Sequence, residues 1–258
     1  MPLAVAESAP AGSIVDVDLS PSGKPAALIA TGKERRLAVE GRTVAEHIDA
    51  SFVRWLDDHR VLVVRARNDR VRENATCYGG DGSELWHAAL DDGVEDVIAL
   101  DRSFAVTYFD EGVFGDRTVA REGIAVFDHS GKFQRGWNSR PPGEFLSECY
   151  AAAPLSGAAF VFCAFAGFKL VHFDVVQWKA KVYDLGRRPA AVTGLADGNL
   201  AVVDLDRNVF AFNVLTEERE RIGSLRSRTR VRGIRDGRFL EIGFDEVRLA
   251  RVPAPAKG

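Results

Sequence analysis

The side chains that carry most acid–base and nucleophilic catalysis at neutral pH lack catalytic spacing in this sequence. Its five histidines show no HxH, HExxH or His–Cys pattern, the arrangements that bring ligands together on a metal. Gly-x-Ser-x-Gly, the turn that exposes a serine nucleophile, is absent. The segment Gly80-Asp81-Gly82-Ser83 is typical of a hairpin turn. The sequence therefore disfavours a histidine-dependent metal site and a serine-based mechanism.

Charged and aromatic residues gather in two segments, 109–122 and 137–148, and these are the first candidates for binding. The carboxylates that could surround a cation there are Asp110, Glu111, Asp116 and Glu122. The side chains that offer apolar contact area are Phe109, Phe114 and Trp137. Long loops on a rigid scaffold often carry binding groups. Both segments therefore become candidate binding loops if a scaffold surrounds them.

Three cysteines, Cys77, Cys149 and Cys163, form an odd set without CxxC spacing. This pattern predicts reduced, packed thiols and disfavours a disulfide framework or a zinc site. Cys163 lies within the apolar run 160–165, so we expect it to be buried. The first residues lack the basic and apolar regions of a secretory signal, so we expect a cytoplasmic protein.

Composition indicates an ordinary soluble globular chain of 258 residues with 46% apolar content. The net charge of -3 gives no positive field to attract nucleic acid, which is therefore not an expected partner. No run approaches the roughly 18 consecutive apolar residues of a membrane span, so we expect no membrane association. We expect a monomer without a resident cofactor.

A repeat organises the elements that must position these residues. Strand-like segments, several of which end in Asp-Gly or a similar turn, begin near residues 14, 52, 95, 148, 190 and 230. Their spacing is close to the roughly 40–45 residues of a four-stranded propeller blade. A short apolar run follows each segment and predicts a buried second strand. The interval from 95 to 148 is the longest because it contains both candidate loops.

Several predicted third strands end in an aromatic residue followed by Asp or Asn. These pairs are Phe127-Asp128, Phe173-Asp174 and Phe212-Asn213, and each Asp or Asn can accept N–H bonds in the following turn. The pattern resembles the blades of WD40-like and NHL-like β-propellers, many of which carry Trp-Asp at this point. The resemblance implies that the first strand of each blade lines a central channel. It also implies that the loops between second and third strands lie on the same face of the ring as the connections from one blade to the next.

We therefore predict an all-β fold: a single six-bladed β-propeller with four-stranded antiparallel blades. The predicted blades are 14–51, 52–94, 95–147, 148–189, 190–229 and 230–252. The last blade has three predicted strands, so we expect residues 2–6 to supply its fourth and close the ring, because an open ring would leave exposed strand edges.

The fold implied by the resemblance brings both candidate loops to one face, beside charged residues at the channel mouth. The candidate binding residues are Phe109, Asp110, Glu111, Phe114, Trp137, Arg54, Arg70 and Glu148. Opposed charges there can also simply pair with one another. We predict a non-catalytic protein that binds a protein partner or a small polar ligand through this face.

The alternative is a calcium-dependent hydrolase or lactonase, similar to six-bladed propeller enzymes that hold a cation at the channel mouth. In such enzymes the metal polarises a carbonyl and orients water. The residues that would supply its oxygen ligands are Asp16, Glu148, Asp204 and Asp245. A one-residue slip in strand register would turn any of them away from the channel.

Overall fold

Six antiparallel sheets follow one another along the chain in the computed structural model, which describes residues 12–67, 73–226 and 229–252. The first blade is β1 (Ser13–Leu19), β2 (Pro25–Thr31), β3 (Glu34–Val39) and β4 (Arg42–Ala45); the second is β5 (Phe52–Trp55), β6 (Arg60–Val64), β7 (Ala75–Gly79) and β8 (Glu84–Ala88). The third is β9 (Val94–Ala99), β10 (Ser103–Tyr108), helix α1 (Asp110–Val113), β11 (Ile124–Asp128) and β12 (Phe133–Gly136).

The second half of the chain repeats this order. Blade 4 is β13 (Cys149–Pro154), β14 (Ala159–Ala164), β15 (Lys169–Asp174) and β16 (Lys179–Asp184); blade 5 is β17 (Ala191–Gly194), β18 (Leu200–Val203), β19 (Asn208–Phe212) and β20 (Arg219–Ser224). Blade 6 is β21 (Arg230–Ile234), β22 (Arg238–Ile242) and β23 (Val247–Arg251). Neighbouring strands within each sheet pair in sequence order, so the predicted six-bladed propeller is confirmed.

The hydrophobic core is a ring of six clusters, each filling the space between two neighbouring blades. Alternate residues on the second strands point to opposite sides of the blade, so one strand serves two clusters. In β6, Leu62 packs toward blade 3 and Val61 toward blade 1. Val17 of blade 1 packs with Ile234 and Leu240 of blade 6, so apolar contacts join the first and last blades directly.

The turn chemistry predicted at the ends of the third strands is confirmed. The Asp128 carboxylate accepts the backbone N–H of Ser130 at 2.9 Å. The Asp174 carboxylate does the same for Val176 at 2.9 Å. The Asn213 side-chain oxygen accepts the N–H of Leu215 at 2.8 Å. These residues hold hairpin turns between third and fourth strands and are structural.

All three cysteines are free and buried, as the sequence predicts. Burial raises the pKa of Cys77 and of Cys163 to about 12, so both stay as thiols at neutral pH. The predicted N-terminal strand at residues 2–6 lies outside the described residues. Within the described part of the chain, no helix has the length and apolar character of a membrane span.

Candidate functional site

The two long loops of blade 3 emerge on the same face of the ring and interlock there. We call this the insertion face; it carries residues 109–123 and 137–148. The side-chain amide of Asn138 donates to the carbonyls of Arg121 and Leu146 at 2.8 and 2.9 Å. Its oxygen accepts the N–H of Leu146 at 2.9 Å. The loops therefore form one ordered unit on the rim.

Trp137 belongs to the core beneath these loops. Its side chain is 1% exposed and lies against the rings of Phe162 and Phe173, with centroids 5.5 and 4.9 Å away. Its indole N–H donates to the carbonyl of Glu144 at 2.8 Å. The expectation that Trp137 offers surface contact area is therefore corrected, because residues 138–146 fold back over it.

Helix α1 presents the other candidate residues of this loop at the surface. Asp110 and Glu111 are exposed, and Glu111 forms an ion pair with Arg67 of the neighbouring blade. The Arg67 guanidinium also lies 4.5 Å above the ring of Phe109. Phe114 follows the helix and is exposed beside Phe145, with ring centroids 6.4 Å apart.

A cavity of about 270 Å³ opens at the channel mouth on the insertion face. Its charged and aromatic lining comprises Phe52, Arg54, Glu95, Asp96, Tyr150, Arg188, Arg230 and Arg232. These residues come from the first strands of blades 2, 3, 4 and 6 and from the connection before blade 5. The candidate Arg54 lies in this cavity, and the candidate Arg70 is outside the described residues.

Arg54 forms the buried floor of the mouth cavity. Its guanidinium contacts Asp16 at 2.5 Å and Asp96 at 2.6 Å, and Asp16 also pairs with Arg230. Burial alone would raise the pKa of Asp16, but Arg54, Arg230 and Arg232 together hold it below its ordinary value. Asp16 is therefore an ionised structural carboxylate that joins blades 1, 2 and 6.

Glu95 is the carboxylate of the mouth that forms no hydrogen bond or ion pair with the described residues. Restricted solvation in the cavity raises its pKa to about 7, and the neighbouring Asp96 and Glu148 act in the same direction. The Arg188 guanidinium lies 4.1 Å above the ring of Tyr150. The mouth thus offers one exposed guanidinium and one exposed, unpaired carboxylate of raised pKa to a bound group.

The four carboxylates of the calcium alternative lie in different settings. Asp16 is paired with arginines, and Asp204 accepts hydrogen bonds from Asn208 in the turn after β18. Glu148 lies close to the Tyr150 hydroxyl, and Asp245 is exposed in the turn before β23. Among the described residues, no three His, Cys, Asp or Glu side chains are grouped as a metal ion requires.

Large apolar side chains are exposed on loops of the insertion face in blades 3 to 6, and sequence reasoning missed most of them. We call this set the apolar arc: Phe114, Phe145, Phe165, Leu205 and Phe244, each between 48% and 77% exposed. Phe165, Leu205 and Phe244 lie just after the second strands of blades 4, 5 and 6. An apolar residue recurring at that polar turn was a signal available in the sequence. Leu205 also lines the mouth cavity.

No protein-family model and no curated protein sequence matches the chain. Solved structures match along nearly its whole length. The WD40 β-propeller domain of Doa1 is 11% identical with a TM-score of 0.55, and the match covers 94% of each chain. Hsv2 from Kluyveromyces lactis is 12% identical with a TM-score of 0.59, covering 95% of this chain and 76% of that one.

The chain is a six-bladed β-propeller, and its fold is similar to that of WD40 domains. A third match, virginiamycin B lyase from Staphylococcus aureus, is 12% identical with a TM-score of 0.55 and covers 98% of each chain. At these identities the likeness shows the fold alone. The fold is shared by WD40 domains and by a lyase, so the propeller's function must be argued from its own surfaces.

Proposed function

We propose that this propeller is a non-catalytic binding protein that takes a protein partner on its insertion face. The observation that carries the proposal is the apolar arc, five large and well-exposed side chains on loops of one face. Contiguous apolar surface rimmed by polar groups marks interaction sites, and aromatic residues are enriched in them. A propeller scaffold of WD40 type is commonly used to bind proteins.

The charges of the mouth support a partner of mixed character. Arg188 and Glu95 lie in one cavity without an ion pair to a carboxylate or a cation within the described residues. A partner that fills the mouth could pair with both groups while covering Leu205. Charged groups of this kind fix the register of a complex and its association rate more than its affinity.

The calcium-dependent alternative has less support. Two arginines hold the Asp16 carboxylate, so a cation would have to displace buried ion pairs to reach it. Asp204 is already engaged by Asn208.

The proposal is tested with paired substitutions on opposite faces. A partner recovered with the wild-type chain is purified, and its affinity is measured for wild type, Leu205→Asp and Leu215→Asp. Leu215 is the matched control because it is 90% exposed in a turn of the opposite face. We expect Leu205→Asp to weaken binding at least about tenfold, as loss of an interface anchor does, and Leu215→Asp to bind normally. Equal affinities for all three proteins would refute the insertion face as the binding face.

A further inference from the structure

A second cavity, of about 280 Å³, opens at the other end of the channel. We call it the lower cavity; the turns between first and second strands surround it. Arg54 and Arg232 line both this cavity and the mouth cavity, so their side chains mark the boundary between the two. A ligand in the lower cavity would therefore be separate from a partner on the insertion face.

Four guanidinium groups line the lower cavity, and three of them are matched by carboxylates. Arg54 pairs with Asp16 and Asp96, and Arg232 pairs with Asp18. The other two, Arg235 and Arg238, lie in and directly after the turn between β21 and β22.

Arg238 is matched by Asp236 at 3.2 Å, whereas Arg235 forms no ion pair with a described carboxylate. The Arg235 guanidinium donates one hydrogen bond, to the carbonyl of Ala99 on the opposite side of the channel, at 3.2 Å. A guanidinium has five N–H donors in a planar fork that suits the two oxygens of a carboxylate. Arg235 therefore brings an unneutralised charge and unused donors to the cavity.

The backbone holds Arg235 in place before any ligand arrives. Asp236 and Gly237 follow it with φ of 64° and 65°, left-handed conformations within the three-residue turn that joins Ile234 to Arg238. The N–H of Gly237 donates to the carbonyl of Gly194 at 2.7 Å, which ties this turn to blade 5. A group ordered in advance loses less conformational entropy on binding.

Polar and apolar groups share the other walls of the lower cavity. The apolar side chains that are at least partly exposed there are Leu19, Pro21, Pro154 and Leu155, whereas Ile98 and Ile234 are buried in the core between blades. Apolar walls lower the local dielectric constant and so strengthen an ion pair with the guanidinium. They also favour a ligand that is apolar apart from its charged group, because most small-molecule sites combine apolar walls with a few polar groups. An inorganic anion could pair with the guanidinium of Arg235, but it has no apolar body to contact these walls.

We propose that the lower cavity binds a small organic carboxylate. The two carboxylate oxygens accept hydrogen bonds from Arg235, and the apolar body of the ligand lies against Pro154 and Leu155. This site is independent of the proposed partner binding, because it lies at the opposite end of the channel.

The first experiment uses benzoate, with benzamide as its neutral counterpart and inorganic phosphate as an anion without an apolar body. Calorimetry and the shift in melting temperature are measured for the full-length chain. We expect benzoate to bind in the millimolar range or tighter, and benzamide and phosphate to bind at least about tenfold more weakly. Equal binding of benzoate and benzamide, or no binding of benzoate, overturns the proposal.

Variants then locate the bound probe. Arg235→Gln keeps a donor for Ala99 but removes the charge, and we expect it to lose benzoate binding. Arg102→Gln is the matched control because Arg102 is exposed on the same face and does not line the cavity. In wild-type protein, benzoate should shift the side-chain N–H resonances of Arg235 and leave those of Arg102 unchanged. The proposal is overturned if benzoate shifts the resonances of Arg102 and not those of Arg235, or if both variants lose benzoate binding equally. The resonance measurement uses wild-type protein, so it does not depend on the stability of either variant.

Discussion

Arg54 is the residue that most directly joins the first strands of neighbouring blades. One guanidinium contacts Asp16 of blade 1 and Asp96 of blade 3 and is almost fully buried. Burial disfavours its charge, but the carboxylates of Asp96, Asp16 and Asp18 raise its pKa further above the ordinary value. The sequence placed Arg54 at the channel mouth, but it could not show that the buried Asp16 is its partner.

Replacing Arg54 should destabilise the propeller strongly. Arg54→Met removes one of the positive charges that neutralise the buried Asp16 carboxylate. Breaking such a buried ion pair lowers the free energy of unfolding by about 3–5 kcal/mol. Lys169→Met is the control, since the ion pair of Lys169 with Glu144 is exposed at 3.3 Å and is worth less than about 1 kcal/mol. Urea unfolding measures both changes. Equally small losses of stability would show that the buried pair does not contribute as described.

Glu95 should make stability depend on pH in the opposite sense from an ordinary paired carboxylate. Its pKa rises from 4.5 to about 7 on folding, first through restricted solvation and then through Asp96. A carboxyl group of this kind favours the folded state below its unfolded pKa, and that contribution is lost as pH rises through the folded pKa.

The variant Glu95→Gln tests this directly because glutamine does not ionise. We expect it to match wild type near pH ~4 and to be more stable than wild type near pH ~8, where wild-type Glu95 is ionised. The difference in the free energy of unfolding is measured by urea titration across this range. A difference that stays constant with pH would contradict the raised pKa.

At the scale of the elements, small residues let the first strands of blades 4, 5 and 6 approach closely. A Cβ added at Gly233 of β21 would lie 1.7 Å from the carbonyl oxygen of Val192 in β17. Gly233→Ala should therefore push the strands apart and cost about 1–3 kcal/mol, the usual range for overpacking.

Gly223→Ala in the outer strand β20 is the control for this test. No described heavy atom lies within 4 Å of a Cβ added there, so the change should leave stability within about 0.5 kcal/mol. Chemical denaturation of both variants measures the difference. If the two alanine variants unfold at the same urea concentration, the close approach of β17 and β21 is not a constraint.

Closure of the ring is also a question at the level of elements. The N–H of Ile14 donates to the carbonyl of Phe244 at 2.8 Å, so the chain enters β1 beside the turn that precedes β23. We predict that residues 2–6 pair with β23 and complete blade 6. Deleting residues 1–8 should then lower the melting temperature of the whole domain, whereas deleting residues 254–258 should not. An unchanged melting temperature after the N-terminal deletion would argue against this closure.

The repeat was predictable because each blade carries the same local signals. Apolar second strands and Asp or Asn at the ends of third strands are properties of short segments, and both are confirmed in the structure. The burial of Trp137 was not predictable in this way, because it depends on how residues 138–146 fold back over the ring. The pairing of Asp16 with Arg230 joins the first and last blades, so it exists only once the ring is closed.

At the scale of the whole molecule, we propose that partners bind the insertion face. The most direct test places a photo-crosslinking amino acid at Phe165 or Leu205 on that face, and at Val176 or Leu215 on the opposite face, all of which are exposed. Each variant is illuminated in the presence of the partner recovered with the wild-type chain. We expect a crosslinked product from positions 165 and 205 and none from 176 and 215. Crosslinking only from positions 176 and 215 would contradict it.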